Sequence, residues 1–170
     1  MKKLKIVSGG QTGVDRAALD AALEAGFPCG GWCPRGRRAE DGSIPERYPL
    51  QEVDGGYLAR TERNVLDSDA TLIIHFGPLS GGTLRTLEFC RKHGRPCLQV
   101  DGEKLNPAEA SEQVLAFLES RDVQVLNVAG PRASGDARAW PFAHDLLSRV
   151  LSATGTNGNR KTISKPNTAR

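Results

Sequence analysis

The sequence predicts an α/β domain of three layers around a mainly parallel sheet of about five strands. Three observations carry that reading. Short apolar runs alternate with segments of helical period along most of the chain. One run, residues 70–76 (ATLIIHF), is apolar almost without a break, which suits a parallel strand covered on both faces. Two junctions between a strand and a helix, residues 8–15 (SGGQTGVD) and 77–83 (GPLSGGT), are glycine-rich turns of the kind that bring backbone close to a ligand.

Taken in order, residues 4–8 form the first strand. Residues 14–26 form a helix whose Val14, Ala18, Ala21, Ala22 and Ala25 share one stripe, closed by Gly26 and Pro28. A short second strand falls near residues 29–33. Residues 34–56 are rich in proline, glycine and charge and show no regular element, so a loop that carries function or lacks fixed order is expected. A helix follows over residues 57–67, then the 70–76 strand and a helix over 84–93. Residues 96–100 form a strand, with Pro96 tolerated at its start. Asn106 or Pro107 opens a helix on which Ala110, Val114, Phe117 and Leu118 align. Residues 123–128 are the last strand, and the final helix carries Ala143, Leu146, Leu147, Val150 and Leu151.

At 170 residues, 38% apolar and 25% charged, the chain fits one soluble domain over residues 1–153. No apolar run spans a membrane, the apolar part of the N-terminus is too short for a signal peptide, and a cytoplasmic location is expected. Arg160, Lys161, Lys165 and Arg170 fall in the stretch 154–170, which has no acid and reads as a basic, disordered tail. Without these four, 19 basic residues face 20 acidic ones, so the body is near neutral and nucleic acid is disfavoured as a partner. Cys29, Cys33, Cys90 and Cys97 lack the tight spacing of zinc sites and read as small hydrophobes.

Ligands of parallel sheets bind beyond the C-terminal strand ends, so the loops there hold the candidate site residues. In the first loop these are Gly9, Gly10, Gln11, Thr12, Gly13 and Asp15. In the second they are Ser80, Gly81, Gly82 and Thr83. A helix N-terminus offers free N–H groups to an anion, and two such turns in one domain suggest a phosphate site. Each turn also has a plainer reading, as a connector or a helix cap. Neither carries the lysine of a triphosphate-hydrolysing loop, and the full dinucleotide fingerprint is absent. Arg132, after the last strand, is either a clamp for an acidic group or a surface arginine. Arg35, Arg37 and Arg38 in the long loop are either lid residues for an anion or part of a solvated, self-neutralised segment, and Arg63 and Asn64 on the next helix could support either. No nucleophile–base pair is visible; His75, His93 and His144 are unpositioned, and Glu88 is a general acid or base only if it leans toward the second loop.

Five segments, SGGQTGVDRAALDAA, GGWCPRGRRAEDGSIPERYPL, RTERNVLDSDATLII, GGTLRT and LNVAGPRAS, together resemble the molybdenum carrier family over about residues 5–151. The resemblance implies a Rossmann-like fold and a homo-oligomer, dimer or tetramer. It implies binding of the molybdenum cofactor (molybdopterin), a phosphate-bearing pterin whose dithiolene holds the metal, without turnover. The contacts it implies are Gly9 to Gly13 with Gly81, Gly82 and Thr83, under a lid of Arg35, Arg37 and Arg38. The residues themselves support only an anionic, nucleotide-like phosphate ligand. A sensor of another nucleotide-derived ligand stays open. So does an enzyme similar to the lonely-guy-type phosphoribohydrolases, which act on nucleoside monophosphates. In the segment that resembles theirs, Thr86 stands where their glutamate would, and threonine cannot hold a negative charge at neutral pH.

Overall fold

The computed structural model describes residues 2–160. Its elements in chain order are β1 (Lys5–Val7), α1 (Val14–Ala25), β2 (Cys29–Gly30), β3 (Trp32–Pro34), β4 (Arg38–Ala39), β5 (Gly42–Ser43), β6 (Gln51–Val53), α2 (Gly56–Leu66), β7 (Ala70–His75), α3 (Gly81–Lys92), β8 (Cys97–Asp101), α4 (Pro107–Arg121), β9 (Val125–Ala129) and α5 (Ala139–Arg160). The central sheet has five strands in the order β2-β1-β9-β7-β8, all parallel. The Rossmann-like α/β fold expected from the sequence is the one observed.

The order has a simple rule behind it. Counted from β9 instead of β1, the strands run 3-2-1-4-5, the order of a doubly wound nucleotide-binding sheet. The last strand therefore occupies the centre, and the strand order reverses between β9 and β7. That reversal opens a crevice beyond the strand ends.

One face of the sheet is covered by α1, α5 and α4, the other by α2 and α3. The main core lies on the first face, where Ile6, Leu72, Ile74, Leu126 and Val128 meet the alanines of α1 and Leu146, Leu147 and Leu151 of α5. Alanine along α1 lets that helix approach its neighbours closely. The other face is more polar beneath the crevice: Thr71 and Asn127 are buried there, and Asn127 Nδ2 donates to Thr71 Oγ1 at 3.3 Å. Among the described residues, no helix is long and apolar enough to cross a membrane.

Residues 34–56 differ from expectation. They are ordered by pairing that skips along the chain: β6 runs parallel to β3, and β4 and β5 form an antiparallel pair. The physical reason is Arg37, which adopts φ +53 and donates to four backbone carbonyls, those of Ile44, Pro45, Tyr48 and Leu50. Ile44 and Tyr48 then pack with Leu19 and Cys33 in a second small core. The final helix also continues past Ala153 to Arg160, with Thr154 and Thr156 hydroxyls donating to carbonyls one turn back. The tail expected from residue 154 thus enters α5, and its remainder, 161–170, lies outside the described residues.

Candidate functional site

A cavity of about 490 Å³ opens at the reversal point, beyond the ends of β1, β7 and β9. Its size is that of a small-molecule site. Its wall divides by chemistry. Ser80, Gly81, Gly82 and Thr83 form one polar side, Arg60, Arg85 and Arg132 bring positive charge, and Tyr57, Leu58, Phe76 and Leu79 supply apolar surface.

The two glycine loops look alike in sequence and differ in the structure. The first spends its N–H groups on itself. Asp15 Oδ2 accepts from the Gln11 N–H at 3.2 Å, and the Gly9 N–H also bonds that carboxyl. The Thr12 N–H donates to the Gln11 side chain, and the Val14 N–H to the Pro131 carbonyl. Gly13 takes φ +79 and lies so close to Pro131 that a Cβ would meet its carbonyl oxygen at 2.4 Å, so glycine is needed there for close approach of the two loops. Gly10 packs instead against Leu50 and Ile44. Of the first loop only Gly9, Gln11 and Asp15 line the cavity. Gly10, Thr12 and Gly13 face the neighbouring loops.

The second loop is open. Ser80 is the N-cap of α3 and makes no capping bond with its side chain. Among the described residues, no acceptor takes the N–H of Gly81, Gly82 or Thr83. A helix of 12 residues therefore points its unspent first-turn donors and its positive dipole end at the cavity. The turn before it is pinned by Asp101, which accepts from the N–H groups of Gly77 and Glu103, and by His75, whose Nδ1–H donates to the Gly77 carbonyl at 2.7 Å.

The arginines of the long loop are not at the site. Arg35 pairs with Asp54 on the outside, Arg37 is the backbone clamp, and Arg38 sits exposed in β4. None of the three lines the cavity. The β4–β5 turn is instead latched down. Glu40 accepts from Thr12 Oγ1 and from the Ser134 N–H and hydroxyl, and Asp41 is held by Arg16. The Ser134 and Thr12 hydrogen bonds hold the Glu40 carboxyl below its usual range. Arg132 lines the cavity and stands 3.9 Å from Glu40, a loose contact for an ion pair. Glu88 pairs with Arg85 at 2.8 Å and stays outside the cavity.

Two features at the heart of the cavity are not legible in the residue pattern: Arg60, and the ion pair it makes with Asp15. Arg60 Nη1 lies 3.3 Å from Asp15 Oδ2, and both side chains are close to nine-tenths buried. Burial pushes the Asp15 carboxyl above its ordinary value, and the Arg60 charge opposes that rise. The one signal for Arg60 is its spacing to Asn64, one turn apart on the inner side of α2; Asn64 lines the same cavity while bonding both backbone groups of Trp32. Arg63, by contrast, turns outward onto the Trp32 ring and Asp67.

Residues 6–151 match the model of the circularly permutated YpsA SLOG family. The chain belongs to that family. The permutation in the SLOG family's description agrees with a sheet whose order becomes 3-2-1-4-5 when β9 is counted first. Among solved structures, this SLOG-family chain is similar to the crystal structure, at 1.45 Å resolution, of a "putative molybdenum carrier protein" from Syntrophus aciditrophicus SB. The two are 47% identical, with a TM-score of 0.85, over 88% of this chain and 95% of that one. No curated protein matches the chain.

Proposed function

We propose that the protein is a carrier, one that binds a phosphate-bearing pterin or nucleotide-derived ligand in the β9–β7 crevice and holds it without turnover. The observation that carries the reading is the start of α3, where three unspent N–H groups face a cavity of ligand size. The phosphate sits on Gly81, Gly82 and Thr83, and a flat ring lies against Tyr57, Leu58 and Phe76. The name of the Syntrophus protein supports the molybdenum cofactor as that ligand. The donor set suits the phosphate and ring of such a cofactor. In such a cofactor the pterin dithiolene, and not the protein, would hold the metal, and Gly81, Gly82 and Thr83 would hold the phosphate.

Retention rather than hydrolysis is supported by Thr86. Its side chain is buried and its Oγ1 donates to the Gly82 carbonyl at 3.0 Å, which leaves a fixed neutral group where a glycosidase of similar sequence would need a carboxylate.

The test is Gly82→Asp. Gly82 has an ordinary φ, a Cβ added there would meet nothing within 4 Å, and an acid in the first turn of a helix favours folding. The variant thus places a negative charge on the phosphate position without disturbing the fold. Protein purified from cells that make molybdenum cofactor is expected to release a pterin or nucleotide on denaturation, at an occupancy at least tenfold lower in Gly82→Asp. Equal occupancy places the ligand elsewhere, and release of ribose phosphate from nucleoside monophosphates by the wild-type protein overturns the carrier reading.

A further inference from the structure

The first glycine loop spends its backbone donors on itself, yet one of its side chains meets the cavity with donors to spare. Gln11 is only 8% exposed and lines the cavity. Its Oε1 accepts from two backbone N–H groups, those of Thr12 at 3.0 Å and Glu40 at 2.9 Å. Two N–H donors on one end of an amide identify that end as the oxygen, so the other end, Nε2, carries two donors of its own. Among the described residues Nε2 has no partner. It is also not sealed off, since Arg60 Nε is the one unpaired side-chain nitrogen or oxygen without open surface among the described residues. Nε2 therefore opens on the cavity that Gln11 lines.

Asn127 supplies the complementary atom. It is 3% exposed and lines the same cavity. On β9 it stands in register with Val7 of β1 and with Thr71 of β7, and Gln11 lies in the loop that leaves β1, so the two amides share the floor of the crevice. Asn127 Nδ2 is tied to Thr71 Oγ1, while Oδ1 has no partner among the described residues and is not sealed off either. A largely buried polar group left unpaired is costly, and folded proteins keep such a group where a ligand completes it.

The two amides are uncharged, and the charged pair beside them is already balanced, Arg60 against Asp15. A further anion or cation brought to this part of the floor would face a like charge. What fits is a neutral group that accepts from Gln11 Nε2 and, beside that acceptor, donates to Asn127 Oδ1. A sugar hydroxyl fills one of the two places. The edge of a flat heterocycle, where a ring acceptor adjoins an N–H, fills both, and pterins and nucleobases share such an edge. We infer that Gln11 and Asn127 form an uncharged subsite that holds the polar edge of the ligand's ring while α3 holds its phosphate. The inference rests on the carrier reading for the phosphate and adds how the ring is held. It gives the first glycine loop a part in binding that is not the phosphate cradle its residues suggest.

The experiment is calorimetric titration of the purified full-length protein with 6-hydroxymethylpterin phosphate and GMP, which carry a phosphate and a ring, and with ribose 5-phosphate, which carries a phosphate and hydroxyls. The quantity read is the affinity of each ring ligand relative to ribose 5-phosphate, in which any effect on the phosphate alone cancels. Gln11→Glu keeps an oxygen for the Thr12 and Glu40 N–H groups and turns the free donor into an acceptor. Asn127→Leu removes the acceptor without adding charge, and it covers the case in which Gln11→Glu fails to fold. In the wild-type protein one of the ring ligands is expected to bind more tightly than ribose 5-phosphate, and which one does so names the source of the ring. In each variant that ratio is expected to fall about tenfold. An unchanged ratio in either folded variant, including one in which ribose 5-phosphate weakens in step, overturns the subsite and leaves the phosphate site standing. Ring ligands that bind the wild-type protein no more tightly than ribose 5-phosphate also overturn it. Failure of all three to bind overturns the subsite together with the phosphate site of the carrier reading.

Discussion

Asp15 shows how one residue can join the fold to the cavity. Its carboxyl gathers the Gly9 and Gln11 N–H groups, so the first glycine loop closes on itself, and it is also the partner that keeps Arg60 at the cavity. Removing one member of a buried pair strands the other charge. Asp15→Ala removes the acceptor of Arg60 and of the loop N–H groups together and is therefore expected to cost about 3 kcal/mol in urea unfolding at pH 7. The pH dependence has a definite sign. Burial raises the folded pKa of Asp15 above the 3.8 of the unfolded chain, so the folded state takes up the proton first. That contribution to stability is complete below the unfolded pKa and is lost as pH rises through the folded one. The stability gap between wild type and Asp15→Ala should accordingly narrow from pH 4 to pH 7. A gap that widens over that interval would mean that the Arg60 charge outweighs burial.

At the scale of elements, what the sequence revealed depended on where each segment finds its hydrogen bonds. The α1 helix and the β7 strand were legible because periodicity encodes them locally: Val14, Ala18, Ala21 and Ala22 are all buried, and so are Leu72, Ile73 and Ile74. Residues 34–56 were not legible, because their order comes from one arginine at a positive φ and from β3 meeting β6 across the chain. The two glycine loops posed a different difficulty. Residue types alone do not say whether N–H groups point inward to Asp15 or outward to a cavity, and only α3 keeps them outward. The β4–β5 pair, with two residues per strand, is too short to hold itself in place. Its latch is Glu40 on Thr12 and Ser134, helped by Arg16 on Asp41. Glu40→Ala should speed amide hydrogen exchange over residues 38–43 several-fold while the exchange of β7 stays unchanged. Because the Glu40 pKa lies below its ordinary 4.5, the latch is present above that value and is lost as pH falls through the folded pKa. Unchanged exchange in the variant would assign the hairpin's order to Arg37 and Asp41 alone.

For the whole molecule, the finished sheet has the same strand neighbours whichever strand is counted first. The order β2-β1-β9-β7-β8 is a doubly wound sheet entered at its second strand, and the cavity is built from the ends of β1, β7 and β9 whichever of them comes first. The ends of the fold are also neighbours: Lys3 and Phe27 line the same surface groove as Gly155 and Thr156. A chain cut between Asp122 and Val123 and rejoined by a short glycine–serine linker from Thr156 to Lys3 would begin at β9. The cut lies in an exposed turn, where chain breaks are tolerated. It spares the Asp69 carboxylate that accepts from the Gln124 and Val125 N–H groups, so β9 keeps its anchor. It removes the bond from the Val123 N–H to the Leu118 carbonyl, a loss of about 1 kcal/mol. The permuted protein should therefore unfold in one cooperative transition near the wild-type midpoint, and it should bind the same ligand through Gly81, Gly82 and Thr83. A permuted chain that folds and yet loses the ligand would show that the crevice depends on the native α4–β9 connection. One that fails to fold would show that β9 must enter a sheet already formed by β1, β2, β7 and β8, so that the order of synthesis, and not the finished strand order, governs assembly.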